Sequence, residues 1–335
     1  MTDGTQADAE PTVIRPVFVG GCDRSGTTML GSMLGAARGA VCTPESHFPA
    51  ELARCVLGPG ISRRELVDGL LAHPRFAWWE VTERPPEAWR DDEPASLDDL
   101  RRLAAWAVTA YARCQEGALP PSTGEMVWVD HSPHNLRDAK VLLALYPEAR
   151  FIHIVRDGRA VAASILPLDW GPNTVRTAAW WWMGELAHAF AGETYAGAER
   201  VRRVRYEDLL RDPETELDSL CRFAGLECGR EAVEGGRFRV PKYETCHPLV
   251  GTPPDPSRAE AWRETLTPRQ IGLFEGVAGD LLDLLGYAPM CAGERVRRTL
   301  AKRVAEVVAR VADPAVGEFR ARVNARRAAK RLRAG

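Results

Sequence analysis

Strand-length segments and helical stripes alternate along this chain. The first kind stands at 16–20, near 40–43, and at 126–129, 151–155 and 201–206, each rich in Val, Ile, Phe or Trp or bounded by turn residues. Between them, apolar residues recur at helical spacing over 26–37, 135–146, 158–166 and 174–196, and helical patterns continue to about 287. This alternation predicts an α/β fold with three layers, a central parallel sheet covered by helices on both faces. Ligands are then expected outside the carboxyl ends of the strands. Residues 1–12 are polar and acidic and are expected to be disordered; 13–290 form the main domain, with 50–125 inserted as a helical cap, and 291–335 form a basic helical tail.

The first junction reads Val17-Phe18-Val19-Gly20-Gly21-Cys22-Asp23-Arg24-Ser25-Gly26-Thr27-Thr28-Met29-Leu30. Its glycines permit a tight turn, and Gly26 opens a helix whose first N–H groups favour negative charge. A phosphate-like group is the expected occupant. Gly21 and Gly26 have the separation of the nucleotide loop G-x-x-x-x-G-K-[ST], but Thr27 stands where that loop needs lysine, and the cation, Arg24, comes earlier. That argues against a P-loop kinase or NTPase, which is kept as the alternative together with a nucleotide-binding module without catalysis. A cation followed by Ser-Gly-Thr-Thr resembles the 5′-phosphosulfate loop of sulfotransferases that use 3′-phosphoadenosine 5′-phosphosulfate (PAPS) and release the bisphosphate PAP. Arg at this place is common in their carbohydrate and tyrosylprotein branches. The resemblance implies a P-loop-like fold and cofactor contacts from Arg24, Ser25, Gly26, Thr27 and Thr28.

Phe151-Ile152-His153-Ile154-Val155 leads through Arg156-Asp157-Gly158-Arg159 into a second helix. In the same family the 3′-phosphate of the nucleotide is held by an Arg at such a strand end and a Ser eight residues later, and Arg156 and Ser164 match that spacing. Arg offers a planar fork of donors to a dianion, and a hydroxyl adds a neutral one. Val201 to Leu210 resembles the family's strand ending in Tyr-Glu, which implies that Tyr206 lies against the adenosine. Ser257 to Pro268 resembles more loosely the segment that closes over the nucleotide, with Arg258 and Arg263 as further 3′-phosphate partners. The resemblance spans about Val13 to Tyr287.

Sulfuryl transfer, like phosphoryl transfer, needs positioning, stabilisation of the departing phosphate and removal of a proton from the nucleophile. In Val41-Cys42-Thr43-Pro44-Glu45-Ser46-His47-Phe48, Glu45 corresponds to the catalytic Glu of carbohydrate and tyrosylprotein members and is the first choice of base. Its pKa is expected to be raised by bound phosphosulfate unless Arg24 offsets it; the bland reading is a cap on the helix starting near Ser46. The rival is His131 in Trp128-Val129-Asp130-His131-Ser132-Pro133-His134-Asn135, standing where carbohydrate-type members have lysine and near where aryl-type members have their catalytic His. His131 as donor, base or helix cap stays open. Arg24 completes the candidate catalytic set, and His47 and His134 are expected in an acceptor pocket or at the surface.

The chain has 335 residues, 45% of them hydrophobic, enough for a full core, and a net charge of −2; no nucleic-acid partner is expected. Eight cysteines show no metal-site spacing, so reduced thiols and no metal are expected. Neither a charged-then-apolar leader nor a run of about 20 apolar residues is seen, which fits a cytoplasmic protein; its Ala- and Arg-rich composition hints at a bacterial source. Trp78, Trp79, Trp89 and Trp106 in the cap either contact the acceptor or staple the cap to the core, and at least one of Trp180, Trp181 and Trp182 should be core. From Glu294 onward thirteen Arg and Lys oppose four acids, on helices with an apolar stripe at Val296, Leu300, Val304 and Val307. Such a tail packs on the core or on a second subunit as a homodimer element, or makes a peripheral contact with anionic lipid. The expected reaction is PAPS-dependent O-sulfation of a saccharide, glycoconjugate or other small metabolite.

Overall fold

The computed structural model describes residues 14–115, 125–168, 170–235, 238, 240 and 250–290. They divide into two units, one drawn from the chain up to Arg156 together with Glu185–Ala259, the other from Asp157–Gly184 and from Glu260 onward. The first unit contains the sheet: β1 (Ile14–Gly21), β2 (Ala40–Thr43), β3 (Met126–Asp130), β4 (Arg150–Val155) and β5 (Val201–Arg205), all parallel in the order β2-β3-β1-β4-β5. The helices of the described residues are α1 (Thr27–Gly35), α2 (Phe48–Leu57), α3 (Arg63–Ala72), α4 (Pro74–Ala77), α5 (Leu97–Cys114), α6 (Ala139–Leu145), α7 (Gly158–Ile165), α8 (Val175–Ala196), α9 (Tyr206–Arg211), α10 (Pro213–Ala224), α11 (Trp262–Thr265) and α12 (Pro268–Leu284).

The central strand shows why this order buries a core on both faces. In β1 the side chains alternate, so Val17 and Val19 enter one apolar cluster with Leu30, Met33 and Leu34 of α1 and Leu217 and Leu220 of α10. Phe18 points the other way, into a cluster with Trp128, Tyr146, Phe151 and the helices of the insertion. There Trp79, 1% exposed, meets Phe48, Phe76, Tyr111 and Trp128 with ring centroids 5.3–6.3 Å apart. Burying such a ring stabilises by about 2–3 kcal/mol. Trp79 is therefore a staple between insertion and sheet. The insertion's helices start where the sequence can satisfy their first N–H groups: Ser62 with Glu65 and Ser96 with Asp99 form reciprocal caps on α3 and α5.

In the second unit, the Asp157-Gly158-Arg159 turn is a structural device. Asp157 caps α7 by accepting the Arg159 N–H at 2.8 Å, and the Arg159 side chain, 2% exposed, is held by Asp157 (2.7 Å), Glu275 (2.6 Å), the Ala288 carbonyl (3.0 Å) and the face of Trp262 (4.3 Å). Two carboxylates offset the cost of burying one guanidinium. A Cβ on Gly158 would lie 2.6 Å from Phe274 and from Trp182, which is the buried member of the Trp triplet.

Several boundaries depart from the expectations. The helix expected over 135–146 is a 3-10 turn at Pro133–Asn135 followed by α6, because the Asn135 amide donates to the Val19 and Asp130 carbonyls (3.0 and 3.1 Å) and holds the turn against the sheet. Tyr206 opens α9 instead of ending β5. The cysteines are not all reduced: Cys221 and Cys228 are disulfide-bonded, Cα atoms 6.1 Å apart, because Gly225 (φ 65°) ends α10 and turns the chain back beneath it. Cys22, Cys42, Cys55 and Cys114 are unbridged. The expected disordered N-terminus, residues 116–124 and the basic tail lie outside the described residues, as do Cys246 and Cys291. Among the described residues no helix is long and apolar enough to cross a membrane.

Candidate active site

At the carboxyl end of β1 the chain leaves the sheet where only glycine fits. Gly21 has φ 154°, and a Cβ there would lie 2.4 Å from the Ile154 carbonyl oxygen of β4. Arg24 then takes a left-handed conformation (φ 67°), Ser25 N–H closes the loop onto the Cys22 carbonyl at 3.1 Å, and Gly26 (φ 98°) opens α1. No side chain caps that helix. The Ser25 and Thr28 hydroxyls are buried with no hydrogen-bond partner among the described residues. Unsatisfied hydroxyls and helix N–H groups at one point are costly in the absence of a ligand and complementary to an anion.

The other sequence motifs of the first unit converge on this loop. A Cβ on Gly26 would lie 2.7 Å from the Tyr206 ring, so the loop and the start of α9 are in direct contact. Arg156 stacks 4.2 Å over the same ring and donates to the Arg24 carbonyl at 2.8 Å. Arg258 is exposed in the turn Pro256–Ala259, which packs against α9. Ser164 and Arg263 belong to the second unit. There Ser164 is half-buried on α7, and Arg263, on α11, stacks on Trp262 (4.7 Å) and donates to Glu260 (3.1 Å).

Glu45 follows β2 and is 8% exposed. Its loop is tied to the loop after β3 through Asp130, which is fully buried: Ser46 donates its hydroxyl to Asp130 and its N–H to the Ser132 hydroxyl (2.9 Å), and Ser132 donates twice to Asp130 (2.6 and 2.8 Å). His47 (φ 55°) precedes α2, which has no side-chain cap, so Glu45 is not a capping residue. Its carboxylate lies 3.1 Å from Arg75 and 3.4 Å from His47. Burial pushes the carboxyl up, but the His47 hydrogen bond and the charges of Arg75 and His131 outweigh it and bring the pKa down to about 2. The permanent cation that lowers it is Arg75 of the insertion.

His131 is fully buried beneath Gly31, where a Cβ would lie 2.7 Å from its own Cβ, and meets Phe238 edge-on at 5.3 Å. Neither ring nitrogen has a hydrogen-bond partner among the described residues, which removes the helix-cap role. Burial lowers its pKa against the pull of Glu45 and Asp130.

Beside Glu45 the structure assembles a group that the sequence did not indicate. Asp23, His134 and Glu185 place one donor atom each within 4.8 Å of one another; Arg137 pairs with Glu185 at 2.6 Å, and the His47 and His134 rings meet edge-on at 5.3 Å. Burial, reinforced by Glu45 and Glu185, raises the Asp23 carboxyl to about 6. Asp23, Arg75 and Asp130 were invisible in the sequence because each partner comes from a different element; only the adjacency of Asp23 to Arg24 was available as a signal.

Among solved structures, the fold is similar to the sulfotransferase domain from the Synechococcus PCC 7002 olefin synthase (TM-score 0.51, 23% identity, 83% of this chain and 98% of that one). It is also similar to the sulfotransferase domain from the curacin biosynthetic pathway (TM-score 0.54, 19% identity, 82% and 98%). In sequence it is 25% identical over 216 residues to protein-tyrosine sulfotransferase 2 of Gallus gallus, covering 63% of this chain and 51% of the relative. It is 28% identical over 264 residues to omega-hydroxy-beta-dihydromenaquinone-9 sulfotransferase Stf3 of Mycobacterium bovis, covering 71% and 59%. The matches thus span between half and three fifths of these relatives' own lengths. The sulfotransferase family model matches residues 16–230, an interval that holds the β1–α1 loop, Glu45, His131, Arg156, Ser164 and Tyr206, and on that match the chain belongs to the sulfotransferase family.

Proposed function

We propose that this protein moves a sulfuryl group from PAPS to a hydroxyl of a saccharide, glycoconjugate or other small metabolite. One observation carries the reading: two buried hydroxyls with no partner among the described residues, Ser25 and Thr28, stand at the N-terminus of α1 beside Arg24. These residues fit a phosphosulfate. PAPS, when bound, supplies an activated sulfuryl group on a phosphate leaving group. Arg24, Ser25, Gly26, Thr27 and Thr28 would hold that end through backbone N–H groups, hydroxyls and one guanidinium. Arg156 would take the 3′-phosphate and Tyr206 the adenosine, with Arg258 a further candidate for the 3′-phosphate; Ser164 and Arg263, which belong to the second unit, are candidates on the family resemblance alone.

Glu45, buried and ionised, would accept the proton of the acceptor hydroxyl. His131 is the second reading for the base, favoured by two ring nitrogens that have no partner among the described residues. Two relatives carry hydroxyl-bearing acceptors in their names, a protein tyrosine and an omega-hydroxy menaquinone, which supports O-transfer.

Calorimetric titration of the full chain with PAP, ADP and ATP tests the cofactor. PAP should bind at least tenfold more tightly than ADP, and Arg156→Ala should erase most of that preference, because only PAP presents a 3′-phosphate. Arg24→Ala should cut transfer from PAPS by an amount on the order of 3 kcal/mol in the barrier while PAP still binds. Preference for ATP, or equal loss of PAP and ADP binding in Arg156→Ala, would overturn the assignment.

A further inference from the structure

Glu45 faces charged or titratable groups from four directions: His47 on its own loop, Arg75 on α4, His131 after β3 and Asp23 in the β1–α1 loop. Arg75 is the nearest permanent charge, with Nη1 3.1 Å from the carboxylate. Its position is built by the insertion. Pro74 and His73 start α4, the His73 ring accepting the Arg75 N–H at 3.2 Å. The guanidinium stacks 4.0 Å over Trp78, and the next residue, Phe76, is buried against Phe48, Trp79 and Trp106 with centroids 5.7–6.1 Å away. A planar guanidinium packed between a ring and a carboxylate loses little freedom on binding and fixes the oxygen it touches.

We propose that Arg75 is a positioning residue for transfer, clamping the Glu45 carboxylate ionised and in one orientation from the cap side. The inference rests on Glu45 as the base. It gives the insertion a part in the reaction beyond covering the sheet: any rearrangement of α4 on acceptor entry changes both the aim and the basicity of Glu45.

The test is a carbon-13 NMR titration of Glu carboxyls in the full chain saturated with PAP, the Glu45 signal being identified by its loss in Glu45→Gln. In Arg75→Gln and Arg75→Ala the midpoint should rise by more than about one pH unit, and Arg75→Lys should restore most of the shift, with PAP affinity within twofold throughout. A midpoint unmoved in Arg75→Gln, or moved equally in Arg75→Lys, overturns the clamp. The lysine variant also guards against loss of fold, since it keeps the charge and most of the volume. If Glu45→Gln keeps full transfer from PAPS while Arg75→Gln still moves the titration, the base assignment fails on its own and the electrostatic coupling stands.

Discussion

At the scale of single residues, the site is a balance of carboxylates and cations in which position, not residue type, decides the role. Glu45 and Asp23 interact and are shifted to opposite sides of their ordinary values, to about 2 and about 6, because the His47 hydrogen bond and Arg75 outweigh burial at the first, while burial and like charge outweigh a backbone hydrogen bond and His47 at the second. Glu45→Gln keeps shape and removes the proton acceptor, so turnover should fall by ~10²–10⁴ with PAP affinity nearly intact. His131→Ala is the matched comparison: survival of the Gln variant together with loss in the Ala variant would transfer the base role to the imidazole. Arg24, Arg156 and Tyr206 were legible in the sequence because each sits at a strand end within a short local motif. Arg75 was not, since nothing in the spelling of Pro74-Arg75-Phe76 says that the insertion folds back beside the loop after β2.

At the scale of elements, strands were read well because apolar runs bounded by glycine, proline or charge have few other solutions. The starts of α1, α7 and α8 fell within one residue of expectation, and two others did not. The shift from Asn135 to Ala139 follows from an amide reaching across to β1, and the start of α9 at Tyr206 from a ring that must pack on Gly26; both are contacts between elements distant in sequence. The Cys221–Cys228 bridge was missed for a related reason, since its spacing matches no redox or metal pattern and only the Gly225 turn brings the two together. Closing so short a loop constrains the unfolded chain modestly, about 2 kcal/mol on the loop-entropy account. Cys228→Ala should therefore lower the denaturant midpoint by that equivalent under oxidising conditions, and a reductant should lower the wild type to the same value. A wild-type midpoint indifferent to reductant would mean the bridge does not form in solution.

At the scale of the molecule, the carboxylates gathered at one end of the sheet make stability depend on pH in two opposing ways. Glu45 has its pKa lowered on folding, so its contribution is present above the unfolded value of about 4.5 and is lost as pH falls through about 2. Asp23 runs the other way: raised from 3.8 to about 6, it favours the fold below its unfolded value and that contribution is lost as pH rises through 6. The ligand-free protein at pH 7.5 therefore carries a desolvated carboxylate beside Glu45 and Glu185, at a cost of about 1–2 kcal/mol once partial solvent access is allowed for. Asp23→Asn removes the charge and keeps the shape. It should raise Tm at pH 7.5 by roughly 1–3 °C, and the gain should shrink through pH 6 and vanish near pH 4, where the wild-type residue is protonated in the folded state. Melting curves at matched ionic strength from pH 4 to 8 measure this directly. A constant offset across that range would assign the effect to packing, and equal Tm values at pH 7.5 would show that Asp23 is better solvated than its place beside His134 and Glu185 implies.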